Sequence, residues 1–304
     1  MYLSLKDHCP NFILYTVAFN DECYDILSKL KLPNMVVISM KEFEDTELLK
    51  IKPTRSGREY FWTCSSSSIL YCIKKYNLDM CTYIDADLIF FENPKVILDE
   101  IGDKSILLTE HRLPKGGKKE EMNGLYCVQF MPFKNDKNGI TALTWWRERC
   151  LEWCYDRYED GKLGDQKYLD DWATRFPGVH VMKHLGGGVA PWNMYMYKIL
   201  DDNGKLFVEE IQTLNKYPLV FYHFQSTQIY NLYKQIIAVY WPYDSNIDDK
   251  TIKIYQSYGK YLYSSFELIR SIHPNFNLGF NKPINYYKYL FNKIKRKAKK
   301  LIAR

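Results

Sequence analysis

The sequence predicts an α/β protein built around a sheet of parallel strands. Segments with the apolar pattern of a strand alternate along the chain with segments of helical spacing, which is typical of such a sheet. One short apolar run leads directly into Asp85 and Asp87, and ligands of open α/β sheets bind where strands end in this way. With 304 residues, 46% of them hydrophobic, the chain is long enough to bury a large core.

The first predicted elements are a strand, a helix and a second strand. The apolar run at residues 12–19 predicts the first strand, and the Asn-Asp-Glu that follows it is typical of a helix start. A helix over residues 23–30 and a strand over Met35–Ser39 come next. This alternation of strand, helix and strand indicates an α/β sheet.

A long helix over Gly57–Tyr76 precedes the strand that ends at Asp85. Residues 105–109 predict a further strand, and Glu110 at its end lies near the site by topology. Residues 115–121 are rich in glycine and lysine and have nothing to bury, so we expect an exposed loop there.

A strand over residues 125–130 and a tryptophan-containing helix over residues 140–156 are followed by three consecutive glycines at 186–188. Such glycines mark a flexible turn, a backbone with positive φ, or a ligand close to the backbone. Because they precede a Trp-Asn pair, we assign Gly187 and Gly188 to the wall of a pocket. Their spacing matches neither a Walker loop nor a dinucleotide-binding fingerprint.

Asp85 and Asp87 are the strongest candidates for a metal site. Side chains two residues apart in extended chain point to the same side, so both carboxylates can face one ion. Mg²⁺ and Mn²⁺ are held by one or two carboxylates together with substrate phosphates, which favours a nucleotide diphosphate as co-ligand. The alternative is that the two residues cap a turn or the start of a helix.

His223 is the candidate for a third ligand. It ends an apolar stretch, where a single histidine is by default a hydrogen-bonded core residue. With a carboxylate pair upstream, a neutral imidazole that completes the metal site becomes the better interpretation.

Three segments of the chain, in this order, resemble the GT-A fold glycosyltransferases that use nucleotide-sugar donors. Tyr-Ile-Asp-Ala-Asp at 83–87 resembles their DxD motif, and Gly-Asp-Gln at 164–166 resembles their Asp-Gln segment near the reacting sugar. Tyr-His-Phe-Gln-Ser at 222–226 resembles the late histidine that completes the metal site in the galactosyltransferase-like branch, which includes enzymes of bacterial surface polysaccharides. The resemblance covers roughly residues 11 to 230.

This resemblance implies a mixed, mostly parallel central sheet, a UDP-sugar donor, and Mn²⁺ or Mg²⁺ bound by Asp85, Asp87 and His223. The acceptor would be a glycan or a lipid-linked saccharide, and transfer with retention of configuration is favoured. The resemblance further implies nucleobase contacts from Tyr15, Thr16 and Phe19, and sugar contacts from Asp165 and Gln166. If configuration inverts, Asp165 or Glu110 could serve as the general base. Apart from the resemblance, we expect the pocket wall formed by Gly187 and Gly188 to lie around the donor phosphates or the acceptor.

The composition of the chain indicates where in the cell the protein is found. No apolar run reaches the roughly 18 residues of a transmembrane helix, and we expect no signal peptide. Eight cysteines without metal-like spacing indicate a reducing cytosol. The expected location is therefore the cytoplasm.

The positive charge of the chain is concentrated in its last part. From Leu268 to Arg304 there are ten Lys or Arg and no Asp or Glu, so the overall +6 belongs to this part. We divide the chain into a catalytic domain, residues 1–270, and a basic tail, residues 271–304. Helical spacing of apolar positions after Pro283 predicts a basic amphipathic helix that binds the anionic inner face of the cell membrane. The alternatives are a helix packed on its own domain and an RNA-binding arm.

Two other functions remain open from the sequence. A haloacid-dehalogenase-like phosphatase would use Asp85 as nucleophile and Asp87 as general acid. A protein without catalytic activity would bind nucleic acid through the basic tail and its aromatic rings, although no recognition motif supports this and no nucleic acid is expected as partner.

Overall fold

The computed structural model of the protein describes residues 1–232, 235–240, 249–282 and 287. Helices alternate with strands that pair both parallel and antiparallel, which confirms the predicted α/β class. The chain divides into two compact units, Met1–His223 and a second unit that begins at Phe224. The predicted division at residues 270 and 271 stays a prediction, because most of the tail lies outside the described residues.

The described α-helices are Tyr2–His8 (α1), Asp21–Leu30 (α2), Met40–Phe43 (α3), Thr46–Ile51 (α4), Gly57–Tyr76 (α5), Lys95–Leu98 (α6), Lys118–Asn123 (α7), Lys137–Glu152 (α8), Trp172–Arg175 (α9) and Asp249–Arg270 (α10). Short 3₁₀ helices cover Lys52–Thr54, Asp99–Ile101, Lys167–Leu169 and Met194–Met196.

The described strands are Leu14–Ala18 (β1), Met35–Ser39 (β2), Met80–Ile84 (β3), Leu88–Phe90 (β4), Ile106–Glu110 (β5), Tyr126–Cys127 (β6), Phe130–Lys134 (β7), Val179–Val181 (β8), Tyr197–Asp202 (β9), Lys205–Glu210 (β10), Lys216–Pro218 (β11), Phe221–His223 (β12), Thr227–Leu232 (β13) and Gln235–Tyr240 (β14).

The central sheet of the first unit is mainly antiparallel, so the prediction of a mostly parallel sheet is wrong. Strand β7 lies between β3 and β5 and runs antiparallel to both, and β6 is antiparallel to β5. Strand β8 pairs parallel with β5, and β1 pairs parallel with β2. The physical reason is that β5 is buried on both faces. Such a strand has a continuous apolar run whatever the direction of its neighbours.

The alternating side chains of β5 enter two different hydrophobic clusters. Ile106 and Leu108 belong to a cluster that contains Trp146 of α8, whereas Leu107 belongs to one that contains Phe130. The ring of Trp146 stacks on Phe133 with centroids 6.3 Å apart. Helices α5 and α8 both contribute to the first cluster and cover one face of the sheet, whereas α1 and α6 contribute to the second cluster on the other face.

Several elements have their predicted bounds and others differ. Strand Met35–Ser39 and helix Gly57–Tyr76 are as predicted. The predicted loop at 115–121 is partly helical, since α7 begins at Lys118. The predicted strand at 125–130 is interrupted at residues 128–129, between β6 and β7.

Helix α5 begins with a capping box. The Ser56 hydroxyl accepts a hydrogen bond from the Glu59 N–H at 3.4 Å, and the Glu59 carboxylate accepts one from the Ser56 N–H at 2.7 Å. We expect Ser56→Ala to lower the free energy of unfolding by about 1 kcal/mol, measured by urea denaturation. Ser56→Asp keeps a capping oxygen and should lose much less; an equal loss in both variants would contradict the capping role.

In the second unit, β13 and β14 form an antiparallel pair, and the ring of Phe224 stacks on Tyr258 of α10 with centroids 4.0 Å apart. Within the described parts of the chain, no helix is both long and apolar enough to cross a membrane. The amphipathic helix predicted after Pro283 lies outside the described residues, apart from Tyr287.

Candidate metal centre

The fold brings Asp85, Asp87 and His223 together through one pair of short strands. Asp85 follows β3, and Asp87 stands directly before β4. Strand β12 pairs antiparallel with β4, and its last residue, His223, stands opposite Leu88. This register places the histidine beside Asp87 although the two residues are far apart in the chain.

The three side chains converge in a geometry that suits one cation. His223 Nε2 lies 3.0 Å from Asp87 Oδ1 and 3.7 Å from Asp85 Oδ2. One potential ligand atom from each residue lies within 4.8 Å of the others. The His223 side chain is 6% exposed, whereas those of Asp85 and Asp87 are 28% and 39% exposed. The centre is therefore closed on the histidine side and open on the carboxylate side.

Neighbouring groups hold the Asp85 segment in place. The Tyr83 hydroxyl donates a hydrogen bond to Asp85 Oδ1 at 3.0 Å, and the Asp85 N–H donates to the backbone oxygen of Gln129 at 3.0 Å. The Leu88 N–H donates to the backbone oxygen of Asp85 at 3.4 Å, which closes a tight turn between β3 and β4. These contacts fix the Asp85 carboxylate and the turn that precedes β4.

The electrostatics of the centre are those of a cation held between two anions. Burial raises the pKa of Asp85, and the neighbouring Asp87 carboxylate adds to this, while His223 opposes it. Burial alone would also raise the pKa of Asp87, but the hydrogen bond and charge of His223 outweigh it and lower that pKa. Burial disfavours a charged His223, yet the two carboxylates raise its pKa well above the ordinary value. The two carboxylates thus favour a positive charge next to them, as they would favour a divalent cation.

The donor set fits Mn²⁺ or Mg²⁺. Carboxylate oxygens are the preferred ligands of both ions, and an imidazole nitrogen favours Mn²⁺ over Mg²⁺. To coordinate, His223 must lose the proton on Nε2 and offer that lone pair. Asp85, Asp87 and His223 would hold the ion, as the sequence predicts, and this assignment stays a prediction.

Asp165 lies close enough to this centre for the charge of Asp85 to act on it. Its side chain is buried at 4% exposure, and its Oδ2 has no hydrogen-bond partner in the described part of the chain. Its backbone oxygen accepts a hydrogen bond from the Trp146 indole at 2.9 Å. Burial, together with the Asp85 carboxylate, raises the pKa of Asp165 to about 7. The carboxyl group is therefore partly protonated at neutral pH and can donate as well as accept.

The neighbouring Gln166 points elsewhere. Its side-chain Nε2 donates to the backbone oxygen of Asn123 at 2.9 Å, so the amide bridges two segments of the chain. Glu110, the other candidate for a base, is exposed at the end of β5, where it pairs with Tyr126. Neither residue belongs to the Asp-Asp-His group, and their catalytic roles stay predictions.

The three glycines are buried and closely packed. A Cβ on Gly186 would lie 1.8 Å from the Pro218 carbonyl oxygen, and one on Gly187 would lie 2.5 Å from Ile97. Gly188 has φ +72°, and a Cβ there would lie 2.7 Å from Thr109. Packing against protein groups is thus sufficient reason for glycine at each position, and a role in donor binding stays a prediction.

The segment after the glycines forms one wall of the centre. The His223 N–H donates to the backbone oxygen of Val189 at 2.9 Å, and the rings of Trp192 and His223 lie 5.2 Å apart in an edge-to-face arrangement. Asn193 is fully buried, and its side-chain amide donates to the backbone oxygens of Gly188 and His111. Val189 and Trp192, which follow the glycines, therefore hold His223 through a backbone hydrogen bond and a ring contact.

The residues predicted to contact a nucleobase lie in a different hydrophobic cluster. The ring of Tyr15 packs against Tyr76 with centroids 4.4 Å apart, and that of Phe19 packs against Phe61 at the same separation. Thr16 lies on β1 opposite Val37. Their predicted contacts with a nucleobase are not tested by this packing.

Sequence reasoning missed the role of Gln129. Its Oε1 lies 2.9 Å from His223 Nδ1, and it is fully buried. The available signal was a single polar residue between Val128 and Phe130, inside an otherwise apolar segment. The periodicity of apolar residues along the sequence does not show which distant residue such a polar side chain contacts.

No protein-family model matches the chain. It is 31% identical to the uncharacterized protein YfnD of Bacillus subtilis (strain 168) over 285 residues, which cover 92% of this chain and 89% of YfnD. It is also 31% identical to the uncharacterized protein YfnF of the same organism over 241 residues, which cover 76% of this chain and 78% of YfnF. By this similarity over nearly its whole length, the chain belongs to the protein family of YfnD.

Proposed function

We propose that the protein is a metal-dependent glycosyltransferase of GT-A fold. Its donor would be a nucleotide-diphosphate sugar, and a UDP-sugar is the first candidate. Its acceptor would be a glycan or a lipid-linked saccharide in the synthesis of a surface polysaccharide. The observation that supports this proposal is the group formed by Asp85, Asp87 and His223 at the end of a strand, open on its carboxylate side.

The openness of the centre supports a phosphate-bearing substrate. Three protein ligands leave free positions on an octahedral ion such as Mg²⁺, which usually shares its coordination between carboxylates and substrate phosphates. The carboxylates of Asp85 and Asp87 are partly exposed, whereas His223 is buried. A diphosphate would therefore approach the ion from the side of the two carboxylates.

The roles of the individual residues follow from their surroundings. A bound divalent ion acts as a Lewis acid that offsets negative charge on the leaving diphosphate. Asp165, with a pKa near 7, donates or accepts a hydrogen bond at the transferred sugar. Gln166 would contact the sugar only through its side-chain oxygen, because its Nε2 donates to the backbone oxygen of Asn123. Transfer with retention of configuration is favoured; if configuration inverts, Asp165 or Glu110 would be the base that takes the acceptor proton.

The acceptor side of the proposal rests on the charge of the tail. Ten basic and no acidic residues between Leu268 and Arg304 favour an anionic membrane surface, where a lipid-linked acceptor would be presented. In this proposal the protein works in the cytoplasm, on the inner face of the cell membrane.

Ligand-induced stabilisation tests the donor class. We expect a UDP-sugar with Mn²⁺, at about 100 times its Kd, to stabilise the protein by about 2.7 kcal/mol, measured as a rise in Tm across a panel of nucleotide-sugars. The same panel with EDTA, and with Asp87→Asn, should show no rise.

If no nucleotide-sugar stabilises the protein with Mn²⁺, the proposal fails. Hydrolysis of simple phosphate esters that depends on Asp85 would then indicate the phosphatase alternative. RNA binding without nucleotide-sugar binding would indicate a protein that uses its tail for nucleic acid.

A further inference from the structure

Gln129 contacts two of the three residues of the metal centre. Its backbone oxygen accepts a hydrogen bond from the Asp85 N–H at 3.0 Å, and its side-chain Oε1 lies 2.9 Å from His223 Nδ1. It stands between β6 and β7, where the central strand run is interrupted, and its side chain is completely buried. One residue thus links the carboxylate segment to the histidine.

The side-chain contact determines where the proton of His223 lies. An amide oxygen can only accept a hydrogen bond, so Nδ1 must carry a proton to make this contact. A neutral imidazole has a single N–H. When that N–H is on Nδ1, the lone pair of Nε2 is free, and Nε2 is the nitrogen that faces Asp85 and Asp87.

The surroundings of Gln129 make a simple packing role a poor explanation. Its side-chain Nε2 is buried and has no hydrogen-bond partner in the described part of the chain. Leaving such a donor unpaired costs free energy, and an apolar residue of the same length would avoid that cost. The contact between Oε1 and His223 is what distinguishes glutamine from methionine at this position.

We propose that Gln129 is the positioning residue of the metal centre: it holds His223 in the Nδ1–H tautomer and aims Nε2 at the cation. Partners of metal-binding histidines act in this way, and their loss typically lowers metal affinity about 10- to 100-fold. The inference rests on the metal centre of the proposed function and is independent of the sugar and the acceptor.

Gln129→Met tests the proposal, because methionine keeps the length of the side chain and removes the acceptor. We expect its Kd for Mn²⁺, measured by calorimetry on the full chain, to rise about 10- to 100-fold. Gln129→Glu retains an acceptor for the N–H at Nδ1 of His223, and this variant should keep most of the wild-type affinity for Mn²⁺. Thr63→Val removes one buried hydrogen bond on α5 and is the matched control, which should leave the Kd unchanged.

Two further measurements separate positioning from a general structural role. The first is ¹⁵N-histidine NMR of the metal-free protein at a pH that leaves His223 neutral, with His180 as internal reference. Wild type should show the Nδ1–H tautomer of His223, and Gln129→Met should not. In a His223→Ala background, Gln129→Met should cause no additional loss of Mn²⁺ affinity.

The inference is overturned if wild type binds Mn²⁺ and Gln129→Met binds it equally well, or if the effect persists in the His223→Ala background. A wild-type spectrum of the Nε2–H tautomer would also overturn it. If wild type binds no Mn²⁺, the proposed function fails together with the metal centre, and that outcome is distinct from the other three.

Discussion

Asp85→Asn and Asp87→Asn are each expected to abolish metal-dependent nucleotide binding. Each change keeps the shape of the side chain but removes one negative charge next to a divalent ion. Loss of a partner that only supports a ligand costs about 10- to 100-fold in metal affinity, so loss of a direct ligand should cost more than about 100-fold. The measurement is the Kd for Mn²⁺, and for a UDP-sugar with and without Mn²⁺.

The same two variants should differ in stability when no metal is present. Burial raises the pKa of Asp85, so its ionised form costs the folded protein free energy relative to the unfolded chain, and a neutral asparagine relieves that cost. The pKa of Asp87 is lowered, so its ionised form stabilises the folded protein through His223, and asparagine loses that contribution. We therefore expect a higher Tm in EDTA for Asp85→Asn than for Asp87→Asn.

Asp103→Asn is a suitable control for both measurements, since the Asp103 side chain is 90% exposed and its nearest cationic partner, Lys104, is 4.0 Å away. This control should bind Mn²⁺ as wild type does. Wild-type nucleotide binding by Asp87→Asn without any need for metal would overturn the assignment of the centre.

Asp165→Asn should make the protein more stable at alkaline pH. The pKa of Asp165 is raised by burial from 3.8 to about 7 in the folded protein. A carboxyl group of this kind contributes stability while it is protonated, and the contribution is lost as pH rises from about 4 through 7. Since one pKa unit corresponds to about 1.4 kcal/mol, wild type should lose on the order of 4 kcal/mol over this range. Asparagine does not titrate and avoids the loss.

Urea denaturation of wild type and Asp165→Asn at pH 5 and pH 8 measures this difference. The stability advantage of the variant should be large at pH 8 and small at pH 5, while the proposed transferase activity should fall. Asp171→Asn, which removes an exposed carboxylate paired with Arg175, should show no comparable pH dependence. A stability difference between wild type and Asp165→Asn that does not change with pH would contradict the burial argument.

The grouping of Asp85, Asp87 and His223 could be predicted from the sequence to the extent that these residues stand at strand ends. Asp85 and Asp87 follow an apolar run, and His223 ends another, so both signals are local. Gln129 could not be predicted in this way, because its importance depends on a partner 94 positions away in the chain. Its polar character inside an apolar segment marked it as unusual without indicating its neighbour.

The direction of the strands and the role of the glycines could not be predicted from the sequence, and the reasons are related. A strand such as β5, buried on both faces, has the same apolar run in parallel and antiparallel sheets. Three consecutive glycines indicate close approach to the backbone, but the approaching atoms, those of Pro218, Ile97 and Thr109, come from three separate segments. Tertiary contacts of this kind have no local pattern.

The pairing of β4 with β12 has a consequence for the order of events during synthesis. Both carboxylates leave the ribosome long before His223, and the histidine reaches them only when Phe221–His223 adds to Leu88–Phe90. Contacts between such distant segments form late in folding, because closing a long loop is costly. A nascent chain that stops short of β12 would carry the acidic pair without its imidazole. If the proposed centre binds Mn²⁺, binding with the affinity of the full chain would therefore report that the first unit has been completed.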